Sequence, residues 1–299
     1  MARAKLSNGI ELEYEIEGDL KNPALLVILG ITDNITDWPE GLYLPLVEAG
    51  YCVVRYELRD MGLSTHFDSL GMPDLRQTAE SLAEGQLPEA GYTVKDMAED
   101  ARLLLSELGI ERASVVGYSY GSYVAQRLAL DTPELFAGLI CLQGSNYNPA
   151  LPPRTKTVEQ AMFDALNDYS SVQEQIEAIY NLRKATNGSV FYLDDEEALL
   201  SAQSSVSRTY YPQGTARIVL SRLATPLFFE ETSQITCPTL ILQADEDPIF
   251  DLQHGLDMAE RIPNSQLRVL QGAGHNHPLS LQPIIAEALI EFLGSLSFQ

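Results

Sequence analysis

Val115-Val116-Gly117-Tyr118-Ser119-Tyr120-Gly121-Ser122 decides how this chain reads, together with the segment it runs into, Tyr123-Val124-Ala125-Gln126-Arg127-Leu128-Ala129-Leu130. β-Branched residues end in Gly-x-Ser-x-Gly and pass directly into a helical pattern. This is the sequence form of a nucleophile elbow, a sharp strand-to-helix turn that lifts one serine hydroxyl out of the fold. Strand and helix backbones approach so closely there that positions 117 and 121 have no room for side chains. A bare Gly-x-Ser-x-Gly arises by chance in many chains; the strand–turn–helix setting is what marks Ser119 as a nucleophile. The plain alternative is a serine capping a helix N-terminus.

The 299 residues suffice for one large α/β core with an insertion, or for two small domains. An apolar content of 45% with 8% aromatics fits a globular enzyme and excludes fibrous and disordered classes. The formal charge of -23 argues against nucleic acid and anionic membrane surfaces as partners, because both would repel the chain. Residues 1–9 hold no apolar core suited to a secretory signal, and no apolar run approaches bilayer length. Cys52, Cys141 and Cys237 are solitary and lie in or beside apolar runs, so they read as reduced thiols and not as a disulfide frame or a zinc site. The expected location is cytoplasmic.

Outward from the elbow, strand-like and helical runs alternate. Residues 24–29, 51–56, 139–142, 239–242 and 267–270 are mainly apolar runs that read as buried strands. Residues 11–18 alternate polar and apolar, as in a half-exposed antiparallel edge. Residues 94–108 carry helical spacing, and residues 279–296 form an amphipathic pattern with Ile284, Ile285, Leu289, Phe292 and Leu293 on one stripe. Such alternation predicts a mostly parallel central sheet with helices on both faces. Residues 145–224 break the rhythm, opening on a proline-containing stretch and then reading as helical throughout. They are expected to be a helical cap inserted into a core of residues 1–144 and 225–299. A second excursion spans residues 66–91.

A serine nucleophile needs a base, and the base needs a third group to fix its tautomer. Of only four histidines, His275 lies in Gly272-Ala273-Gly274-His275-Asn276-His277-Pro278, just after a strand, where active sites of open α/β sheets gather. His277 is expected to be a solvated loop residue, and His66 and His254 surface residues. For the acid, Asp245-Glu246-Asp247-Pro248 follows another strand. Asp247 is favoured because the following proline holds it extended; Asp245 and Glu246 read as solvated turn acids. Two backbone N–H donors are needed for an oxyanion. Tyr120, at the positive end of its helix, supplies one and Ile31, in Leu29-Gly30-Ile31-Thr32-Asp33-Asn34, the other.

Together these residues resemble the α/β-hydrolase fold family over nearly the whole chain, including the order serine, aspartate, histidine. Arg55-Tyr56-Glu57-Leu58-Arg59-Asp60-Met61-Gly62-Leu63-Ser64 is similar to the family's R-x-x-D-x-R-G-x-G-x-S segment, with positions 57 and 58 altered. Pro39 after Trp38, and Pro212-x-Gly214-x-x-Arg217, resemble the subgroup containing aclacinomycin methylesterase and related carboxylesterases. The oxyanion loop of that subgroup often lacks the family's His-Gly pair, as Leu29-Gly30 does here. The resemblance implies a triad of Ser119, Asp247 and His275, donors at Ile31 and Tyr120, a helical cap over the site, and neither metal nor organic cofactor. Tyr120 departs from the Met or Gly often found after the serine in that family, and its side chain is expected to narrow the acyl pocket.

The function expected is a serine hydrolase of a small to medium-sized carboxylic ester. Tyr147, Phe163, Tyr169, Tyr180, Phe191, Tyr192, Tyr210 and Tyr211 either face such a substrate or pack the cap onto the core. One rival is a proline iminopeptidase-like aminopeptidase, with the acids Asp194, Asp195, Glu196 and Glu197 receiving an amino terminus. The other is a catalytically silent receptor that keeps the fold to bind a small ligand.

Overall fold

A computed structural model describes residues 2–296. One sheet holds the strands β1 (Ala2–Lys5), β2 (Glu11–Glu17), β3 (Ala24–Ile28), β4 (Cys52–Tyr56), β5 (Ala113–Tyr118), β6 (Phe136–Leu142), β7 (Thr239–Ala244) and β8 (Ser265–Leu270). Their order is β1-β2-β4-β3-β5-β6-β7-β8, with β3 to β8 parallel and β1 and β2 antiparallel. The expected parallel sheet is present. The reading of residues 11–18 as an edge is corrected: β2 is covered by β1, whose four residues bury only Ala4 and carry too little pattern to announce a strand.

Period-two alternation splits the sheet's side chains between two cores. Leu26, Ile28, Val54, Val115, Leu139 and Ile241 pack against α3 (Val94–Glu107), α4 (Tyr120–Asp131) and α9 (Leu252–Arg261). Leu25, Val27, Val53, Val116, Ile140 and Leu242 pack on the other face against α1 (Glu40–Glu48) and α10 (Gln282–Ser295). Each such buried aliphatic side chain contributes roughly 1.5–3 kcal/mol. Truncating one, as in Leu26→Ala, costs about 2–5 kcal/mol. Ile285, Leu289, Phe292 and Leu293 of α10 are buried as the stripe predicts, whereas Ile284 is 45% exposed. The excursion over residues 66–91 contains α2 (Leu75–Ala83), started by the Asp74 carboxylate on the Gln77 N–H.

Between β6 and β7 the chain forms α5 (Lys156–Asp164), α6 (Val172–Ala185), α7 (Asp195–Arg208) and α8 (Pro212–Ala224). Thr155, Ser171 and Asp194 cap the first three through their side chains, and Pro212 begins the fourth. Ala161, Ile179, Leu182, Ala202 and Val206 bury a small apolar cluster among α5, α6 and α7.

Residues 55–64 and 212–217, far apart in sequence, meet in space. Arg217 of α8 grips Asp60 with two hydrogen bonds of 2.8 and 2.9 Å, and Tyr92 donates to the same carboxylate. Arg208 of α7 ion-pairs with Glu57, which also receives the Ile35 and Leu63 N–H groups. Residues 55–64 therefore tie α7 and α8 to the sheet through buried charge-assisted hydrogen bonds.

Candidate active site

The elbow turns where the sequence places it. Ser119 has φ 54° and ψ −122°, a conformation that residues with a Cβ rarely adopt and that here is held by its surroundings. Its N–H bonds Leu142 O, and its side chain makes no capping bond, which removes the N-cap reading. A Cβ at Gly117 would lie 2.4 Å from Gly121 O, and one at Gly121 would lie 2.1 Å from Ile28 O. Backbone fills both spaces, so only glycine fits.

His275 follows β8, in a loop fastened on two sides. Its N–H donates to Thr186 O, and its carbonyl accepts from the Tyr118 hydroxyl at 2.7 Å. Its Nε2 lies 2.9 Å from Ser119 Oγ and its Nδ1 2.6 Å from Asp247 Oδ2. With a carboxylate at Nδ1, the ring carries its proton there and leaves Nε2 free to accept from the serine hydroxyl. The second oxygen of Asp247 accepts the Ile249 and Phe250 N–H groups, so the acid is oriented by its own turn. Residues 119, 247 and 275 are all at least nine-tenths buried.

Asp245 accepts the Gly272 N–H, and Glu246 accepts both the N–H and the hydroxyl of Ser189; neither reaches His275. His66 is exposed and stacks on Tyr211. Two expectations are corrected. His254 is buried, bridging Ser145 Oγ and Pro152 O, because the loop after β6 folds over it. His277 is not a solvated residue: it packs against Trp38 and Tyr118, and its Nε2 lies 2.7 Å from Gln143 Oε1. The Gln143 amide nitrogen already donates to Gly274 O, so His277 is the donor in that pair. Burial, helped by the charges of His275 and Arg183, lowers the His277 pKa to about 3.

A cleft of about 780 Å³, its open mouth included, reaches Ser119 and His275. Ile31 and Tyr120 line it, and Tyr120, as the first residue of α4, has an N–H without an intrahelical carbonyl. The Tyr120 ring is 1% exposed, its hydroxyl lying 3.4 Å from Ser221 Oγ. Of the eight aromatic residues between 145 and 224, only Tyr147 lines this cleft. Phe163 and Tyr192 are more than half exposed, and Tyr210 and Tyr211 border a smaller pocket.

Charged residues that sequence spacing did not single out also meet here. Arg183 of α6 reaches Asp37 at 2.7 Å and Asp33 at 3.4 Å, joining α6 to the loop after β3. Burial raises the Asp33 pKa to about 6 against the opposing pull of Arg183. Arg154 and Arg222 line the cleft as well. Nothing in their local patterns distinguishes them from ordinary solvated arginines.

A model of the alpha/beta hydrolase fold matches residues 23–279. The chain is 26% identical to a rhodomycin D methylesterase of Streptomyces sp. (strain C5), with 91% of each chain covered. It is 23% identical to a putative carbamate hydrolase of Variovorax paradoxus (strain S110), covering 96% of this chain and 97% of that protein. Among solved structures it is similar to an esterase from Rhodococcus sp. ECU1013, with a TM-score of 0.77, 20% identity and 99% of both chains covered. It is also similar to the enol-lactonase of Burkholderia xenovorans LB400, with a TM-score of 0.74 and 17% identity over 98% of this chain and all of that one.

Proposed function

Because the chain belongs to the alpha/beta hydrolase fold family, we propose that it is a serine hydrolase cleaving a carboxylic ester through an acyl-enzyme on Ser119. One observation carries this reading: the unbroken hydrogen-bond path from Ser119 Oγ through both nitrogens of His275 to Asp247. His275 Nε2 takes the hydroxyl proton as Oγ attacks the ester carbonyl. The N–H groups of Ile31 and Tyr120 receive the oxyanion. Collapse expels the alcohol with the proton from His275, and one water then releases the acid by the same steps in reverse. Asp247 holds the ring tautomer and stabilises the imidazolium.

Residues 145–224 act in this reading as a cap on the core of residues 1–144 and 225–299. The cleft volume suits a small to medium-sized ester, and no step calls for a metal or an organic cofactor. The partner required is the ester alone; nucleic acid and membrane are disfavoured by the charge of -23. Three buried free cysteines accord with a cytoplasmic setting. The methylesterase similarity favours an ester over a peptide. So does the use of Asp194 and Glu197 in capping α7, outside the Ser119 cleft.

A fluorophosphonate should label Ser119, and p-nitrophenyl esters of rising chain length should be turned over. Ser119→Ala is expected to abolish labelling and lower kcat by about 10⁶-fold, the scale seen when a triad serine is removed. Turnover surviving in that variant would overturn the reading, and a folded protein that does not label would favour the silent receptor.

A further inference from the structure

The sequence holds 42 acids against 19 basic residues. Among the described residues, at least ten arginines accordingly sit in ion pairs with carboxylates. Arg222 does not. It lies half-buried on α8 with no hydrogen bond or carboxylate partner among the described residues, its guanidinium 5.0 Å from the centroid of the Tyr147 ring. Arg154, at the entrance to α5, has only the Met162 sulfur at 2.9 Å. Both face the cleft that contains Ser119 and His275. The one carboxylate in that lining, Asp33, is taken up by Arg183.

A half-buried guanidinium that leaves five N–H donors unpaired is costly unless something else satisfies them. Abundant acids elsewhere make its isolation here informative. The walls beside it are Tyr147, Met162, Val219 and Phe250. These apolar side chains lower the local polarity beside the guanidinium and strengthen any charge-assisted contact made within.

Resting on the ester-hydrolase reading above, we propose that the substrate ester carries a carboxylate, which docks on Arg222 with Arg154 at the rim. Such a substrate is a half-ester of a dicarboxylic acid, or an ester of a hydroxy acid. Ester C–O cleavage consumes one water and yields an acid and an alcohol, while the docked carboxylate takes no part in bond making. Planar, bidentate recognition of a carboxylate is what a guanidinium does better than an ammonium.

The test compares kcat/KM for monomethyl glutarate and acetoxyacetate with that for dimethyl glutarate, by pH-stat. The wild-type enzyme is expected to favour at least one anionic ester by about tenfold or more, since a charge-assisted contact is worth that much discrimination. The preference should shrink as salt is raised. In Arg222→Gln the anionic-to-neutral ratio should fall about tenfold, with Arg222→Lys intermediate. Fluorophosphonate labelling of the Arg222→Gln variant reports that it is folded and reactive. If wild type labels and hydrolyses all three esters without preference, or the ratio survives in a labelled Arg222→Gln variant, this inference falls and the hydrolase reading stands. If wild type neither labels nor hydrolyses any of the esters, both fall together.

Discussion

His275 Nδ1 lies 2.6 Å from Asp247 Oδ2, while Oδ1 of the same carboxylate accepts the Ile249 and Phe250 N–H groups at 2.8 and 3.1 Å. Both oxygens thus have acceptor duties. An asparagine at 247 meets only one set: its NH₂ faces either the ring or two backbone donors. Where it faces the ring, the imidazole protonates on Nε2 and loses its ability to take the Ser119 proton. Asp247→Asn should therefore lower kcat by about 10⁴-fold. A steady-state assay beside a thermal melt separates this loss from unfolding. A loss below tenfold in a folded variant would show that the carboxylate does not govern the tautomer.

Two histidines stand two residues apart, and the structure gives their rings different neighbours. His277 donates to Gln143 and packs on Trp38, away from Ser119. His277→Gln should keep kcat within about tenfold of wild type, while His275→Gln loses several orders of magnitude. The half-buried ring has a folded pKa of about 3, below its unfolded value, so the unfolded chain binds more protons across that interval. His277 consequently favours the folded state at neutral pH, and that contribution is lost as pH falls from about 6.5 towards 3. At pH 5 the loss amounts to about 1–2 kcal/mol. Urea midpoints at pH 7 and pH 5 should drop less in His277→Gln than in wild type; an equal drop would count against the half-buried neutral ring.

Crowding at the elbow yields a stability prediction. A methyl at Gly121 collides with Ile28 O, a backbone atom of β3 that cannot rotate away. Gly121→Ala should cost about 3 kcal/mol, and relief would come only from moving α4 off the sheet. A urea midpoint equal to that of wild type would mean that the elbow is looser than its contacts imply.

Legibility in the sequence followed the range of the constraint. The elbow is dictated within a few residues, by two glycines that backbone leaves no room to replace, and so it was readable. That His275 and Asp247 meet beside Ser119 is readable because strand ends are local features and parallel sheets gather them at one rim. Arg183 was not, since its partners Asp33 and Asp37 lie about 150 residues away and neither end carries a distinctive spacing. His254 was misread for the same reason: Ser145 and Pro152, which bury it, come from a loop more than 100 residues earlier. Strand β1 carries no sequence signal because a short edge burying one alanine has almost no hydrophobic period.

Asp33 and Arg183 supply a pH response of opposite sign to that of His277. Asp33 is 4% exposed, and burial lifts its pKa to about 6 despite the adjacent guanidinium. Between about pH 4 and 6 the folded protein keeps a proton that the unfolded chain has released. The contribution of this group to stability is therefore complete below pH 4 and is lost as pH rises through 6. Asp33→Asn removes the titration but keeps the shape. Relative to wild type, the variant should gain about 2 kcal/mol on going from pH 4 to pH 7, whatever its offset at pH 4. Urea midpoints of both proteins at the two pH values give the difference directly. A shift in favour of wild type would mean that Arg183 holds Asp33 ionised throughout, and that burial is the weaker of the two effects.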